Sequence, residues 1–256
     1  MMRVPQDFER ARFSSLCARH SSFEVRGGEF AGIGIYNEKR IHRIIKEFVS
    51  SDESSFEVKL GGSVADVFSD GIITEVQTGG FYPLKKKIAA YIENTDHQIK
   101  IIHPAIVKKT IVRVDPLTGE ILRKKVSPKK ESALKILPEL LYLSEHFGSD
   151  RLSFEVYGIE AEEHRYSDEI HRRRKAGKYD SELFPIALES ITEIATRADV
   201  RALLPSELLS LPSFSAADFT RLTGFRGRRA YLALTLLTNL EIIKKEKQGT
   251  KVTYIF

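Results

Sequence analysis

Apolar positions along this 256-residue chain recur in two periods, one suited to helices and one to strands. From Asn37 onward Ile41, Ile44, Ile45, Phe48 and Val49 follow helical spacing, and Asn37 stands where a capping residue is expected. Short β-branched runs follow at Phe56–Leu60, at Ser63-Val64-Ala65-Asp66-Val67-Phe68 and at Ile72-Ile73-Thr74-Glu75-Val76-Gln77. Ser69-Asp70-Gly71 separates the last two, and an Asp-Gly pair between such runs predicts a hairpin. Helical spacing returns over Pro83–Glu93 through Leu84, Ile88 and Tyr91/Ile92, with Pro83 near the first turn. A strand from Ile99 to Ile102 completes an α-β-β-β-α-β order.

Lys109–Val114 and Ile121–Lys125, around Asp115-Pro116-Leu117-Thr118-Gly119, predict a further hairpin. Ala133–Phe147 reads as a helical segment broken or restarted at Pro138, and Leu152–Ile159 as an apolar strand. The charged stretch Glu162–Lys178, with its Arg172-Arg173-Arg174-Lys175 cluster, precedes a strand candidate at Leu183–Leu188. Residues 1–30 hold no sustained period, which predicts a poorly ordered lead-in or a marginal helix around Phe8–Leu16. Leu211-Pro212-Ser213 marks a boundary, and Ser215 with Asp218 three residues on resembles a helix start. That helix reaches Leu222, Thr223-Gly224 turns, a second helix runs from Phe225 through Leu240, and Glu241–Lys245 with Lys251–Phe256 form strands around Gln248-Gly249. Two helices, a short turn and a terminal hairpin describe a winged helix-turn-helix. The domain expectation is a lead-in over 1–30, an α/β domain with an extension over 31–205, and a winged helix over 211–256.

Composition is that of a globular protein, and the net charge of +5 is modest but uneven. Eight Lys or Arg face two acids between Arg221 and Lys251, and six face two between Arg113 and Lys130. Such runs are either solvated faces or the footprint of a polyanion. In the terminal motif Arg226, Arg228 and Arg229 would open the recognition helix, and Lys244, Lys245 and Lys251 would flank the wing and neutralise phosphates. The same motif also serves protein contacts in some settings. Cys17 is the single cysteine, so no intramolecular disulfide forms. The seven histidines lack a two-His spacing followed by a third ligand, which argues against zinc; His42 and His103 read as surface or packing residues. There is no apolar run long enough to cross a bilayer and no signal-peptide layout, so a cytoplasmic protein without membrane contacts is expected.

The Asp-Gly loop sets Ser69 against Ile72, Val67 against Thr74, and therefore Asp66 against Glu75. Opposed carboxylates are destabilising unless something offsets them, and a hard divalent cation does so. A solvent-facing pair on an edge hairpin is the alternative. Gln77 shares Glu75's face and could orient a water. Glu38, three residues before Ile41, extends the apolar stripe of its helix; it either complements the macrodipole or reaches the carboxylate pair.

With the Glu38 helix, the Asp66 and Glu75-Val76-Gln77 hairpin and the Lys-rich helix in this order, the region from about Gly32 to Ile106 resembles the PD-(D/E)XK nuclease superfamily. The layout is also similar to an uncharacterised bacterial family with a nuclease core. The resemblance implies a restriction-endonuclease-like core, a mixed sheet flanked by helices, joined to a small winged helix-turn-helix domain. It implies Mg²⁺ (or Mn²⁺) held by Asp66, Glu75 and the Val76 carbonyl, with Gln77 supporting the attacking water and Glu38 assisting from its helix. Ala65 replaces the motif's proline and Gln77 its lysine, so Lys85, Lys86 or Lys87 on the next helix would supply the missing cation. The function implied is metal-dependent phosphodiester cleavage of DNA, RNA being a second substrate class, with room for a homodimer. A DNA-binding regulator or adaptor with a degenerate nuclease fold is the alternative, and an assembly protein a third class.

Overall fold

The computed structural model describes residues 1–21, 33–115, 118–166, 180–249 and 251–256, with backbone alone at 33–39, 180, 248 and 251. Its centre is one mixed β-sheet of eight strands. These are β1 (Met2–Arg3), β2 (Phe56–Leu60), β3 (Ser63–Ser69), β4 (Ile72–Val76), β5 (Gln98–Val114), β6 (Ile121–Val126), β7 (Leu152–Tyr166) and β8 (Asp180–Ile194). They lie in the order β1-β8-β7-β5-β4-β3-β2, with β6 also on β5; β4, β5 and β7 run parallel and the other pairs antiparallel.

The β3-β4 hairpin has the expected register, Ser69 opposite Ile72 and Val67 opposite Thr74. Asp70 (φ 53°) and Gly71 (φ 75°) both take positive φ at its loop, the conformation that an Asp-Gly pair accepts most readily. Gly71→Ala should therefore destabilise the chain by roughly 1–2 kcal/mol through left-handed strain. Chemical denaturation measures it as a lowered midpoint at constant slope.

Helices cover both faces of the sheet. On one side α1 (Asp7–Arg19) and α2 (Ile33–Val49) bring Phe13, Leu16, Ile41, Ile44, Ile45 and Phe48 onto Val76, Ile102, Tyr157 and Ile191. The expected helical stripe of α2 is the buried one. Residues 1–21 are more than a lead-in, because β1 pairs with β8 and α1 seats Phe13 with no exposed surface. On the other side α3 (Leu84–Asn94) and α4 (Leu137–Leu140), the latter between 3₁₀ turns, pack on Ile73, Ile99, Ile101 and Phe154. Two short helices, α5 (Arg197–Ala202) and α6 (Ser206–Leu209), lead to α7 (Ala216–Thr223) and α8 (Gly227–Asn239), followed by β9 (Lys244–Gln248) paired with β10 (Lys251–Ile255). Ser215 and Asp218 form a reciprocal N-terminal cap on α7, and Gly224 (φ 70°) ends it in the left-handed region. Phe214, Phe219, Leu236, Leu237 and Tyr254 of this terminal segment join the same apolar cluster as α3 and α4.

Strands β5, β7 and β8 reach much further than their sequence patterns suggest. Pro104 falls inside β5, where its missing N–H would interrupt the ladder beside β4. The imidazole of His103 fills that place, its Nδ1–H donating to the Gln77 carbonyl at 2.7 Å. Among the described residues no helix is long and apolar enough to cross a membrane.

Candidate active site

Strand alternation turns Glu75 to the side of Ile73, toward α3. There it is 1 % exposed and meets two donors one turn apart on that helix: Lys87 Nζ gives to Oε2 at 2.6 Å and Tyr91 Oη to Oε1 at 3.0 Å. Asp66 lies one residue beyond Val67, where the pairing of β3 with β4 ends. Its Oδ2 takes the Val76 N–H at 2.8 Å and faces His42 Nε2, from α2, at 3.1 Å.

The two carboxylates have opposite electrostatic fates. Burial, and then the neighbouring Asp66 charge, push the Glu75 carboxyl up to about 7, against the pull of Lys87 and Tyr91. Burial also works to raise Asp66, but the His42 and Val76 hydrogen bonds and the charges of His42 and Lys87 outweigh it and hold Asp66 below its ordinary value. Burial and the Glu75 charge raise the Tyr91 hydroxyl well above its usual range, so it remains a donor. The surroundings thus favour the ionised form of Asp66, while burial and the Asp66 charge favour a protonated Glu75.

Of the lysines considered on α3, Lys87 is the one brought to the pair. Lys85 turns outward to Glu145 at 3.1 Å, and Lys86 is exposed. The helix stripe Leu84, Ile88, Tyr91 is buried, and Lys87 at its border, four residues before Tyr91, shares that helix's side with it. That spacing was the available signal, and it separates Lys87 from its two neighbours. Gln77 follows β4 but spends its side-chain N–H on the Gly80 carbonyl at 2.8 Å, closing the loop before α3. Val76 contributes its N–H to Asp66, as above. The Glu38 side chain lies outside the described residues; its backbone belongs to α2.

His42, read from the sequence as a packing or surface residue, is instead Asp66's partner. Only its position one helical turn after Glu38 could have drawn attention to it. His103 does pack, with its ring against Phe81, and burial lowers its proton affinity despite the bond to Gln77. Among the described residues no group of three His, Cys, Asp or Glu side chains is arranged to hold a metal ion. A separate cleft of about 410 Å³, lined by Arg12, Arg19, His20, Arg43 and Glu47, includes none of the Asp66–Glu75 pair.

In the terminal segment Arg226 and Arg228 are exposed at the start of α8, and Lys244 and Lys245 are exposed on β9. Lys251 opens β10 with its side chain outside the described residues. Arg229 is partly committed elsewhere: its Nη2–H donates to the Lys135 carbonyl at 2.8 Å, and Nη1 lies 3.9 Å from Glu139. Glu139 in turn accepts the Phe81 N–H at 3.2 Å, which links the tip of α8 to the loop that follows Gln77.

The chain belongs to a family described as a domain of unknown function (DUF8091), matched over residues 39–195. That stretch takes in Asp66, Glu75, Lys87 and His42 and excludes α7, α8, β9 and β10. The chain is also similar to an "Uncharacterized protein" of Treponema pallidum (strain Nichols), 30% identical over 143 residues, which are 56% of this chain and 56% of that protein. The chain therefore spans little more than half of that relative's length. No solved structure matches it.

Proposed function

We propose that the protein is a metal-dependent nuclease that cleaves phosphodiester bonds in DNA at the Asp66–Glu75–Lys87 site. The observation that carries this reading is the carboxylate pair of buried Glu75 and half-buried Asp66, with a lysine 2.6 Å from Glu75, on an α-β-β-β-α-β frame. The donor set suits Mg²⁺ or Mn²⁺, since such ions are commonly bound through one or two carboxylates, with waters and substrate phosphate oxygens completing the shell. Burial first, and then the Asp66 charge, raise the proton affinity of Glu75, and a bound cation would oppose both. Asp66 and Glu75 would hold the ion, with the Val76 carbonyl as the third donor implied by the nuclease resemblance. When bound it would polarise the scissile phosphate and lower the pKa of a coordinated water.

The chain's own groups have separable tasks in this reading. Lys87 stands beside Glu75 to stabilise charge developing on the phosphate. His42 fixes the orientation of Asp66, and Tyr91 that of Glu75. Gln77 holds the loop and cannot serve as a base at neutral pH. The α7-α8-hairpin segment acts as a winged helix-turn-helix, presenting Arg226 and Arg228 to the major groove and the β9-β10 lysines to phosphates. A regulator with a degenerate nuclease fold is the second reading, favoured by the engagement of Gln77 with Gly80. Incubation with labelled duplex DNA and with RNA, in Mg²⁺ and in EDTA, separates them. Mg²⁺-dependent cleavage of the duplex supports the nuclease; binding without cleavage favours the regulator.

A further inference from the structure

Beyond the end of β4, strand β5 continues with β6 on one side and β7 on the other. Arg113 of β5 is in register with Arg123 of β6 and Arg165 of β7, so three guanidinium groups form one row on one face of the sheet. Two residues along each strand, the next row holds Lys125, Ile111 and Glu163. Lys109, on the same face by alternation, lies 2.5 Å from Glu163, and Arg165 Nε lies 2.6 Å from it. Within β5, β6 and β7 five cations therefore share this face with a single carboxylate already bonded to two of them; Asp115 and Glu120 follow at the turn that joins β5 to β6. Arg113, Arg123 and Lys125 are exposed, and none has an ion-pair partner among the described residues. The opposite face is balanced: Lys124 meets Glu162 at 3.0 Å and Lys108 meets Glu160 at 2.8 Å.

Like charges directly across a ladder are destabilising, so the row is maintained at a cost. The outer edge of β6 carries no strand among the described residues, and Ile121, Leu122 and Val126 are about half exposed. Pairing of β6 with a second copy, antiparallel about its centre, would set Arg123 against Lys124 and Leu122 against Lys125. Electrostatics therefore disfavours self-association through this edge and favours a polyanion on the face. We propose that the Arg113–Arg123–Lys125 face is a second nucleic-acid surface, docking the phosphate backbone of duplex DNA without reading its sequence. It requires neither cleavage nor the carboxylate pair, and so stands apart from the nuclease reading.

The test is a binding titration of the full chain against labelled duplexes of unrelated sequence, in EDTA, at several salt concentrations. The triple variant R113A/R123A/K125A should bind all duplexes more weakly by a similar factor. Its slope of log affinity against log salt should shrink by about 2–3 units, roughly 0.9 for each phosphate that is no longer neutralised. R113K/R123K/K125R should retain the slope, and K124A, altered on the opposite face, should leave it nearly unchanged. Should the triple variant misfold, R113E alone must weaken binding with a native circular dichroism spectrum. An unchanged slope and affinity in a folded variant overturns the proposal, as does absence of duplex binding by the wild-type chain. Self-association of the triple variant with DNA binding intact also overturns it, and assigns these cations to guarding the β6 edge.

Discussion

Asp66→Asn and Lys87→Met should each lower Mg²⁺-dependent cleavage of duplex DNA by about 10²–10⁴-fold while leaving duplex affinity in EDTA within about twofold of wild type. Asp66 is the acid whose ionised form its neighbours favour, and Asn removes its charge while keeping an oxygen that can still accept from the Val76 N–H and His42. Replacing Lys87 by methionine takes positive charge from the vicinity of Glu75 without adding a base, so its effect should fall on the chemical step. Lys85→Met and Lys86→Met are the matched controls, since Lys85 turns to Glu145 and Lys86 to solvent. Equal activity in all four variants would place the cleavage elsewhere. His42→Ala should give a smaller loss than Asp66→Asn, because it removes the partner that orients the carboxylate and leaves the carboxylate itself.

Glu75→Gln should make the metal-free protein more stable at pH 8 while abolishing cleavage. Below about pH 4.5 the Glu75 carboxyl is protonated in both folded and unfolded chains and contributes no difference. Between that value and about 7 the unfolded chain ionises first, so stability falls as pH rises; above about 7 the full penalty is present. The interval corresponds to about 3 kcal/mol at most, or roughly 6–12 °C in melting temperature for a chain of this size. The amide in Glu75→Gln would keep its one oxygen for Lys87 and turn its NH2 toward the Tyr91 hydroxyl oxygen, without the charge. Thermal melts in EDTA at pH 5 and pH 8 should show the stabilisation mainly at the higher pH, and added Mg²⁺ should raise the melting temperature of wild type more than that of Glu75→Gln. A variant less stable than wild type at pH 8 would mean that Lys87 already neutralises the site.

Much of the frame was legible because local chemistry and tertiary packing agree. The Asp70-Gly71 turn set the β3-β4 register, the Ile41–Phe48 stripe marked the buried side of α2, and the Ser215–Asp218 cap marked the start of α7. The long reach of β5, β7 and β8 was not legible, because their distal halves alternate charged residues whose stability comes from cross-strand pairs such as Lys109 with Glu163. Pro104 concealed the continuity of β5, which the His103 imidazole sustains by bonding to Gln77. At the site, Asp66 and Glu75 stood out by register, whereas the choice of Lys87 over Lys85 and Lys86 depended on which side of α3 is buried. His42 carried almost no signal, since its contact joins residues 24 apart on separate elements. The role of residues 1–21 was hidden by weak amphipathicity; Phe13, Leu16 and Cys17 are the buried residues of α1.

The most direct measurement is anomalous scattering from a crystal soaked in Mn²⁺. The nuclease account expects a single strong peak within coordinating distance of both the Asp66 and Glu75 carboxylates, absent from a crystal of Asp66→Asn treated identically. No peak at this pair under saturating Mn²⁺, with Glu75 still bonded to Lys87 and Tyr91, would contradict it.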